Sequence, residues 1–338
     1  MKPEGKRRIS KGNRERQNRS RFCFLIFTVC LLVSPAFAQP PTPLAVRLAV
    51  VDFAGDAEGE VASLLRSLSR DAPALELLDE QLVRAAVRGA GYAGDLNLSL
   101  EEARALGLSL GCEFYLLGKV QTARRLEAGE QSHFESLAGL FLVETRTGRL
   151  VLFRFERATS KAEAAARGQL IELVRRGWKP IESAIASAQA SQQARIANAA
   201  SMPLIEIAPD AVAAGPQPVF FERLKPAYTE SAEAADIAAT IELEASFQFD
   251  GRVGEIEVLR WAGFGLEESA IATLRQLRFK PAERDGKGIT IRGLVRYNFL
   301  RPRRQADRPM HPSEIERLKR TLRELKSPGS IPGQRPNF

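Results

Sequence analysis

Side-chain catalysis needs nucleophiles, proton carriers or metal ligands held close together, and this chain has few candidates. Its only histidines in 338 residues are His133 and His311, far apart in sequence, which argues against a Ser-His-Asp constellation. Glu101-Glu102 and Glu267-Glu268 are paired carboxylates, the residue type for general acid–base work. Each pair also opens a stretch of helical periodicity, where acids complement the helix dipole. Asp52 closes an apolar strand-like run, a place from which an acid can act in catalysis or hold a metal. No His, Cys or acidic cluster flanks it, so a structural role in the turn is expected. Gly55, Gly59 and the Gly89, Gly91, Gly94 cluster lack the patterns of phosphate-cradling loops. Neither a nucleophile elbow, a zincin helix nor a paired-cysteine motif occurs. The expectation is a binding protein, not an enzyme, with no catalytic residues, cofactor or metal.

The most ordered set of signals lies near the C-terminal end. Ile237 to Phe249 alternates, with Ile241, Leu243, Ala245, Phe247 and Phe249 on one face and Thr240, Glu242, Glu244, Ser246 and Gln248 on the other. Period two over that length predicts a half-buried strand. Asp250-Gly251 predicts a hairpin, because both residues tolerate positive φ. Val253, Ile256 and Val258 mark a second, imperfectly alternating strand, followed by a turn with Gly263 and Gly265. Leu266, Ala270, Ile271, Leu274 and Leu277 recur at helical spacing, and Pro281 ends that helix. Asp285-Gly286 turns the chain into a last strand, Ile289 to Phe299, expected to bend at Gly293. One helix on a small antiparallel sheet is an α+β unit.

That order, from Pro226-Ala-Tyr228 to Tyr297-Asn298-Phe299, resembles the C-terminal domain of TonB, the periplasmic energy transducer that docks on outer-membrane receptors. The resemblance covers about a quarter of the chain. It implies that a receptor segment adds as an extra strand to the free edge of the last strand, with backbone hydrogen bonds supplying affinity. By position, the implied partner-binding residues are Ile289, Ile291, Gly293, Val295 and Tyr297, with Lys225 and Tyr228. The alternative is a last strand that is buried or paired within the protein. Tyr228-Thr229 stands where the family has Tyr-Pro, and Lys225 where it makes polar contacts to the receptor, so receptor choice departs from the family pattern.

Upstream, strands alternate with helices. Val46 to Phe53 and Leu75 to Leu78 read as strands, and Gln81 to Arg88 as a helix. Ser99-Leu-Glu-Glu102 is a capping box that opens a helix through Leu110. Phe114 to Val120 is a strand, Glu135 to Val143 and Leu150 to Phe155 a hairpin, and Ala162 to Ala190 one long amphipathic helix. This predicts an α/β mixed-sheet module. Leu48-Ala-Val-Val-Asp52-Phe53 and Tyr115-Leu-Leu-Gly118 resemble the module shared by the N-terminal part of TolB and CsgG-type proteins. That likeness implies an envelope interaction module without catalytic residues. The fold class is therefore two domains: an N-terminal α/β mixed-sheet module over 44–190 and a C-terminal α+β TonB-like domain over 218–300. Residues 191–217, rich in Ala, Ser and Gln and then Pro, read as a linker.

Residues 1–21 carry nine Lys/Arg against two Glu, a net +7, before the uncharged run from Phe22 and the Ala36-Phe-Ala38 site. This reads as a secretory signal peptide over 1–38. An uncleaved inner-membrane anchor, the usual TonB beginning, is the alternative. The family's anchor histidine has no counterpart in this run, so coupling to an inner-membrane motor stays open only if the leader is kept. Cys23 and Cys30 lie in the leader, which leaves Cys112 alone and excludes an intrachain disulfide framework. It is expected as a buried thiol; a reactive or intermolecular thiol is the other reading. The tail 301–338 carries ten Lys/Arg and four acids, so residues 39–300 sum to −5 and the chain's +8 is no nucleic-acid footprint. Ser313-Glu-Ile-Glu316 caps a short amphipathic helix in that tail, which packs on the domain, frays, or touches an anionic lipid or acidic partner. Expected partners are an outer-membrane TonB-dependent receptor or another envelope protein. A homodimer stays open, and the expected place is the periplasm. N-terminal sequencing of the protein from its host's envelope is expected to begin at Gln39; residues 1–38 retained in the inner-membrane fraction would select the anchor.

Overall fold

The computed structural model describes residues 45–126, 132–199, 216–301, 316–317 and 319–320. The leader, most of the expected linker and the Ser313 capping box lie outside them. The chain divides into two compact units, Met1–Ala45 and Val46–Phe338, and every described helix and strand lies in the second.

Strands β1 (Val46–Val50), β2 (Leu75–Leu77), β3 (Phe114–Arg125), β4 (His133–Glu144) and β5 (Leu150–Ser160) form a sheet ordered β2-β1-β3-β4-β5. β1 pairs in parallel with β2 and β3, while β3, β4 and β5 are antiparallel. The near-continuous apolar run of β1 follows from burial on both sides. One face packs Leu48, Leu116 and Leu140 under helices α1 (Glu60–Arg70), α4 (Glu163–Arg176) and α5 (Trp178–Ala199). α2 (Glu80–Gly89) and α3 (Leu100–Leu110) belong to the other face, where Val83 and Leu106 join Ala49 and Tyr115. The capping box is formed: Ser99 Oγ accepts from Glu102 N at 3.2 Å and Glu102 Oε2 from Ser99 N at 2.7 Å. The expected single helix over 162–190 is two helices, α4 ending at Arg176 and capped by Gly177, and α5 running on to Ala199, into the stretch read as linker.

The C-terminal part holds α6 (Glu230–Ala234), β7 (Ala239–Phe247), β8 (Val253–Arg260), α7 (Leu266–Arg275) and β12 (Ile291–Phe299), with sheet order β12-β7-β8. β7 buries every second residue as its alternation requires, Ile241 and Leu243 completely. Two register shifts against β7 account for the broken alternation of β8. A short pair, β6 (Val219–Phe220) with β9 (Phe279–Lys280), lies beside Phe247.

Two expectations are corrected. β7 stops at Phe247, and Phe249 is exposed rather than buried. Gln248 N donates to Arg252 O and Gly251 N to Gln248 O, with Gly251 at φ 83°, so the hairpin loop takes three residues and Phe249 enters the turn. Ile289 is not in the last strand. Asp285 (φ 50°) and Gly286 (φ 74°) close a two-residue hairpin between β10 (Ala282–Arg284) and β11 (Lys287–Ile289), in which Ile289 pairs with Ala282. The break before β12 falls at Thr290, whose hydroxyl accepts from Phe249 N, and Gly293 runs straight through the ladder.

A single core joins the two parts. Trp261, Phe264 and the β7 face belong to the same buried cluster as Tyr115 and Phe141 of the five-stranded sheet. Trp261 lies 5.8 Å from Phe141, and Phe264 lies 4.8 Å from Phe153 and 5.6 Å from Phe155, ring centre to ring centre. Phe264 sits at φ 58°, a conformation that costs a bulky residue about 1–3 kcal/mol. A Cβ at Gly263 would stand 2.6 Å from the Phe153 ring, so only glycine brings these rings together.

Polar groups close the seam. Beyond the end of β8, the Asn97 carboxamide takes the place of a strand partner for Thr240. Its Oδ1 accepts from Thr240 N at 2.9 Å, and its Nδ2 donates to Thr240 O and Trp261 O at 2.9 and 2.8 Å. Trp261 N donates to Leu98 O, and Trp261 Nε1 to Gly148 O. On the far side, buried Glu135 lies 2.6 Å from both Arg125 Nε and Arg157 Nε, and Arg125 reaches on to Ala234 O. The Arg157 contact is an ion pair without hydrogen-bond alignment. Trp261→Ala removes the central ring, so urea unfolding is expected to show a loss of roughly 3–5 kcal/mol. A loss below about 1 kcal/mol, the range of ordinary surface substitutions, would mean the seam contributes little.

Candidate partner-binding edge

β12 pairs with β7 from Ile291↔Phe247 to Phe299↔Ala239 without a shift, and among the described residues no strand lies on its other side. Which backbone groups face the open side follows from the register. The N–H and C=O of Thr240 both turn to Asn97, on the β8 side of β7. Thr240 and its partner Asn298 are therefore a non-hydrogen-bonded pair, and the amide and carbonyl of Asn298 point away from β7. In an unshifted ladder the same holds for Arg296, Leu294 and Arg292. These four residues offer the unpaired donors and acceptors of the edge.

The sequence-expected residues sit elsewhere on this strand. Ile291, Gly293, Val295 and Tyr297 turn their backbone groups to β7, and Ile291, Val295 and Tyr297 turn half-buried side chains to the core. They shape the edge without presenting it. Ile289 belongs to the neighbouring hairpin. Lys225 is exposed on the irregular segment leading to α6. Tyr228 is half-buried, its hydroxyl shared between Ile237 O and Ala232 O; burial pushes its pKa up. Asp236, close to that ring, pairs with Arg301 just past β12. The expected edge, about Ile289 to Asn298, contains Arg292, Leu294, Arg296 and Asn298, but sequence reasoning singled out their neighbours because it followed the apolar side chains. Strand addition uses the backbone, and backbone direction is fixed only by the register.

The outer face of this sheet is a charged lattice. Arg292 pairs with Glu244 at 3.0 Å and Glu255 at 2.8 Å, Arg296 with Glu242 at 2.6 Å, and Arg260 with Glu102 at 2.9 Å. Exposed pairs of this kind are each worth about 0–1 kcal/mol. Their use at an edge is to keep it from pairing at random with other chains. Leu294, 57% exposed, stands between the two arginines as an apolar contact.

Residues 225–300 match the family described as Gram-negative bacterial TonB protein C-terminal. Three solved structures are similar to parts of the chain. The C-terminal domain of TonB from Pseudomonas aeruginosa is 20% identical with a TM-score of 0.23, covering 29% of this chain and 94% of that one. Lipoprotein GNA1162 from Neisseria meningitidis is 17% identical with a TM-score of 0.30, covering 41% and 99%. The LpoB C-terminal domain from Salmonella enterica is 14% identical with a TM-score of 0.23, covering 33% and 82%. No curated protein sequence matches the chain. The resemblance of residues 44–190 to TolB and CsgG-type proteins finds no support among these relatives.

Three of the groups singled out for chemistry are held by the fold. Asp52 accepts from Arg66 at 2.5 Å and Arg84 at 2.7 Å. Burial alone would raise its carboxyl, but these two arginines hold it below the usual range. Glu267 is buried and accepts from Ala262 N and Gly263 N, fixing the loop that carries Phe264; burial pushes its pKa up despite those bonds. Cys112 is buried, and burial pushes its thiol up to about 11. At about pH 8 roughly a thousandth of it is thiolate, and the thiolate is the reactive form. A disulfide reagent is expected to leave Cys112 unlabelled in the native protein and to label it fully in denaturant. Rapid native labelling would place the thiol at the surface.

Proposed function

We propose that this is a TonB-family periplasmic protein that engages an outer-membrane transport partner by strand addition to β12. The observation that carries this reading is the open edge of β12, with four residues' backbone groups turned outward, inside the segment that matches the TonB family. An extended segment laid along that edge satisfies these groups, and pockets beside alternate residues select its side chains. Leu294, flanked by Arg292 and Arg296, favours a segment with a small apolar residue between acidic or polar ones. Function on this reading is binding and transmission, without a catalytic step.

A second reading is a periplasmic scaffold that uses the same edge for assembly and transmits no energy. The shared core favours it, because the TonB-like part is held on the five-stranded sheet through Trp261 and Asn97. The uncharged run after the basic leader, which has no histidine, points the same way.

The edge is tested by proline. At Leu294, proline removes an outward N–H and leaves the β7 ladder whole; at Val295 it removes a ladder bond and damages the fold. Leu294→Pro is expected to keep the circular dichroism spectrum and to weaken binding of a receptor-derived peptide about tenfold, the worth of one backbone hydrogen bond and its local contacts. Unchanged affinity in a folded Leu294→Pro protein would sink the strand-addition reading. Loss of proton-driven uptake on deletion selects the transducer, and intact uptake with a defective envelope selects the scaffold.

A further inference from the structure

Among the described residues, two further open strand edges line one cleft. β5 is the last strand of the five-stranded sheet and β8 the last strand of the three-stranded one. Between them lies a cleft of about 470 Å³. Consecutive residues line it on both sides, Leu150 to Phe153 from β5 with Arg149 just before them and Glu255 to Val258 from β8, so the strands present their edges to it rather than their faces.

The register identifies the free groups. Ile256 and Val258 stand opposite Ala245 and Leu243, whose backbone groups turn to β12. Their own amides therefore point away from β7, toward the cleft. On β4, Glu144 N bonds to Arg149 O and Thr145 N to Glu113 O, so even residues face β5 and odd ones face β3. Leu150 and Phe153, opposite Val143 and Phe141, thus turn their amides outward as well. Among the described residues, none of these four backbone groups has a hydrogen-bond partner outside its own ladder. Trp261 N bonding to Leu98 O closes the cleft at one end, where β8 stops.

Chemistry selects the occupant. Trp261, Phe153 and Ile271 give the cleft an apolar floor. On its walls Glu257 pairs with Arg149 and Glu255 with Arg292, and buried Glu267 holds the amides of Ala262 and Gly263, so exposed Glu268, with no ion pair among the described residues, leaves the rim acidic. Unpaired donors and acceptors call for an extended backbone, the floor for apolar side chains at every second position, and the walls for Lys or Arg at the positions between. We infer that the cleft between β5 and β8 is a second strand-addition site, which takes an extended segment of alternating apolar and basic residues from a partner protein and so ties the two sheets together. It is independent of the β12 edge, since β7 and β12 lie on the other side of β8.

The test uses the full chain and an amidated hexapeptide of alternating Lys and Val, with an alternating Glu and Val peptide as control. Amide hydrogen exchange is expected to slow at Leu150, Phe153, Ile256 and Val258 with the Lys peptide alone and to stay unchanged along β12. The single variant Glu268→Gln, at an exposed site away from β12, is expected to weaken that binding about threefold. A folded Ile256→Pro protein, which lacks one inward-facing donor of the cleft, is expected to bind less tightly as well. Equal protection by the Glu peptide, protection confined to β12, or no protection would overturn the proposal. So would cleft amides that are slow in the free full chain and become fast when residues 302–338 are removed, because the occupant is then the chain's own basic tail.

Discussion

The architecture depends on one seam, the place where Asn97 and Trp261 bind the end of β8 to the five-stranded sheet. A carboxamide carries a donor and an acceptor in the same plane as a peptide group. It can therefore stand in for a missing strand residue, and Asn97 does so for Thr240. The substitution matters because Thr240 is where β7 outruns β8, and its amide and carbonyl would otherwise be partly buried and unpaired. An unmet buried backbone group costs about 1–3 kcal/mol, more than a typical net hydrogen bond contributes. The same asparagine fixes Trp261 O, which sets the ring against Phe141. Polar closure and aromatic packing at the seam are therefore coupled.

Much of the C-terminal architecture was legible in the chain. Alternation over Ala239–Phe247 was written in one residue after another, and burial follows it without exception. The Asp285-Gly286 turn and the Ser99 capping box are likewise local, decided within four residues. What was not legible was long-range. Asn97 meets Thr240 and Trp261 across more than a hundred residues, and no periodicity signals such a partner. Phe249 misled because an apolar residue in register with a strand looks the same whether the strand continues or turns. The free groups of β12 misled for a related reason: side-chain pattern reports the face of a strand, while the direction of its amides depends on which neighbour pairs with it.

The charged lattice over the outer face of the β12-β7-β8 sheet has a part in this arrangement. A small sheet whose inner face is the core needs an outer face that stays in water, and alternating Arg and Glu provide it at little net gain in stability. Their positions leave the strand edges uncovered while hiding the flat face. Non-specific pairing is discouraged there, and recognition is confined to the lines of backbone on either side.

Orientation of the β12 ladder also sets how the domain responds to force. Nine residue pairs join β12 to β7 without a bulge. A partner strand lying alongside and pulled along its own axis would load every rung of such a ladder together, in shear. The same partner pulled at right angles would open one rung at a time, as a zip does. A grip that holds along one direction and releases along another is a mechanical clutch, built here from nothing more than a straight, unshifted strand at the rim of a sheet.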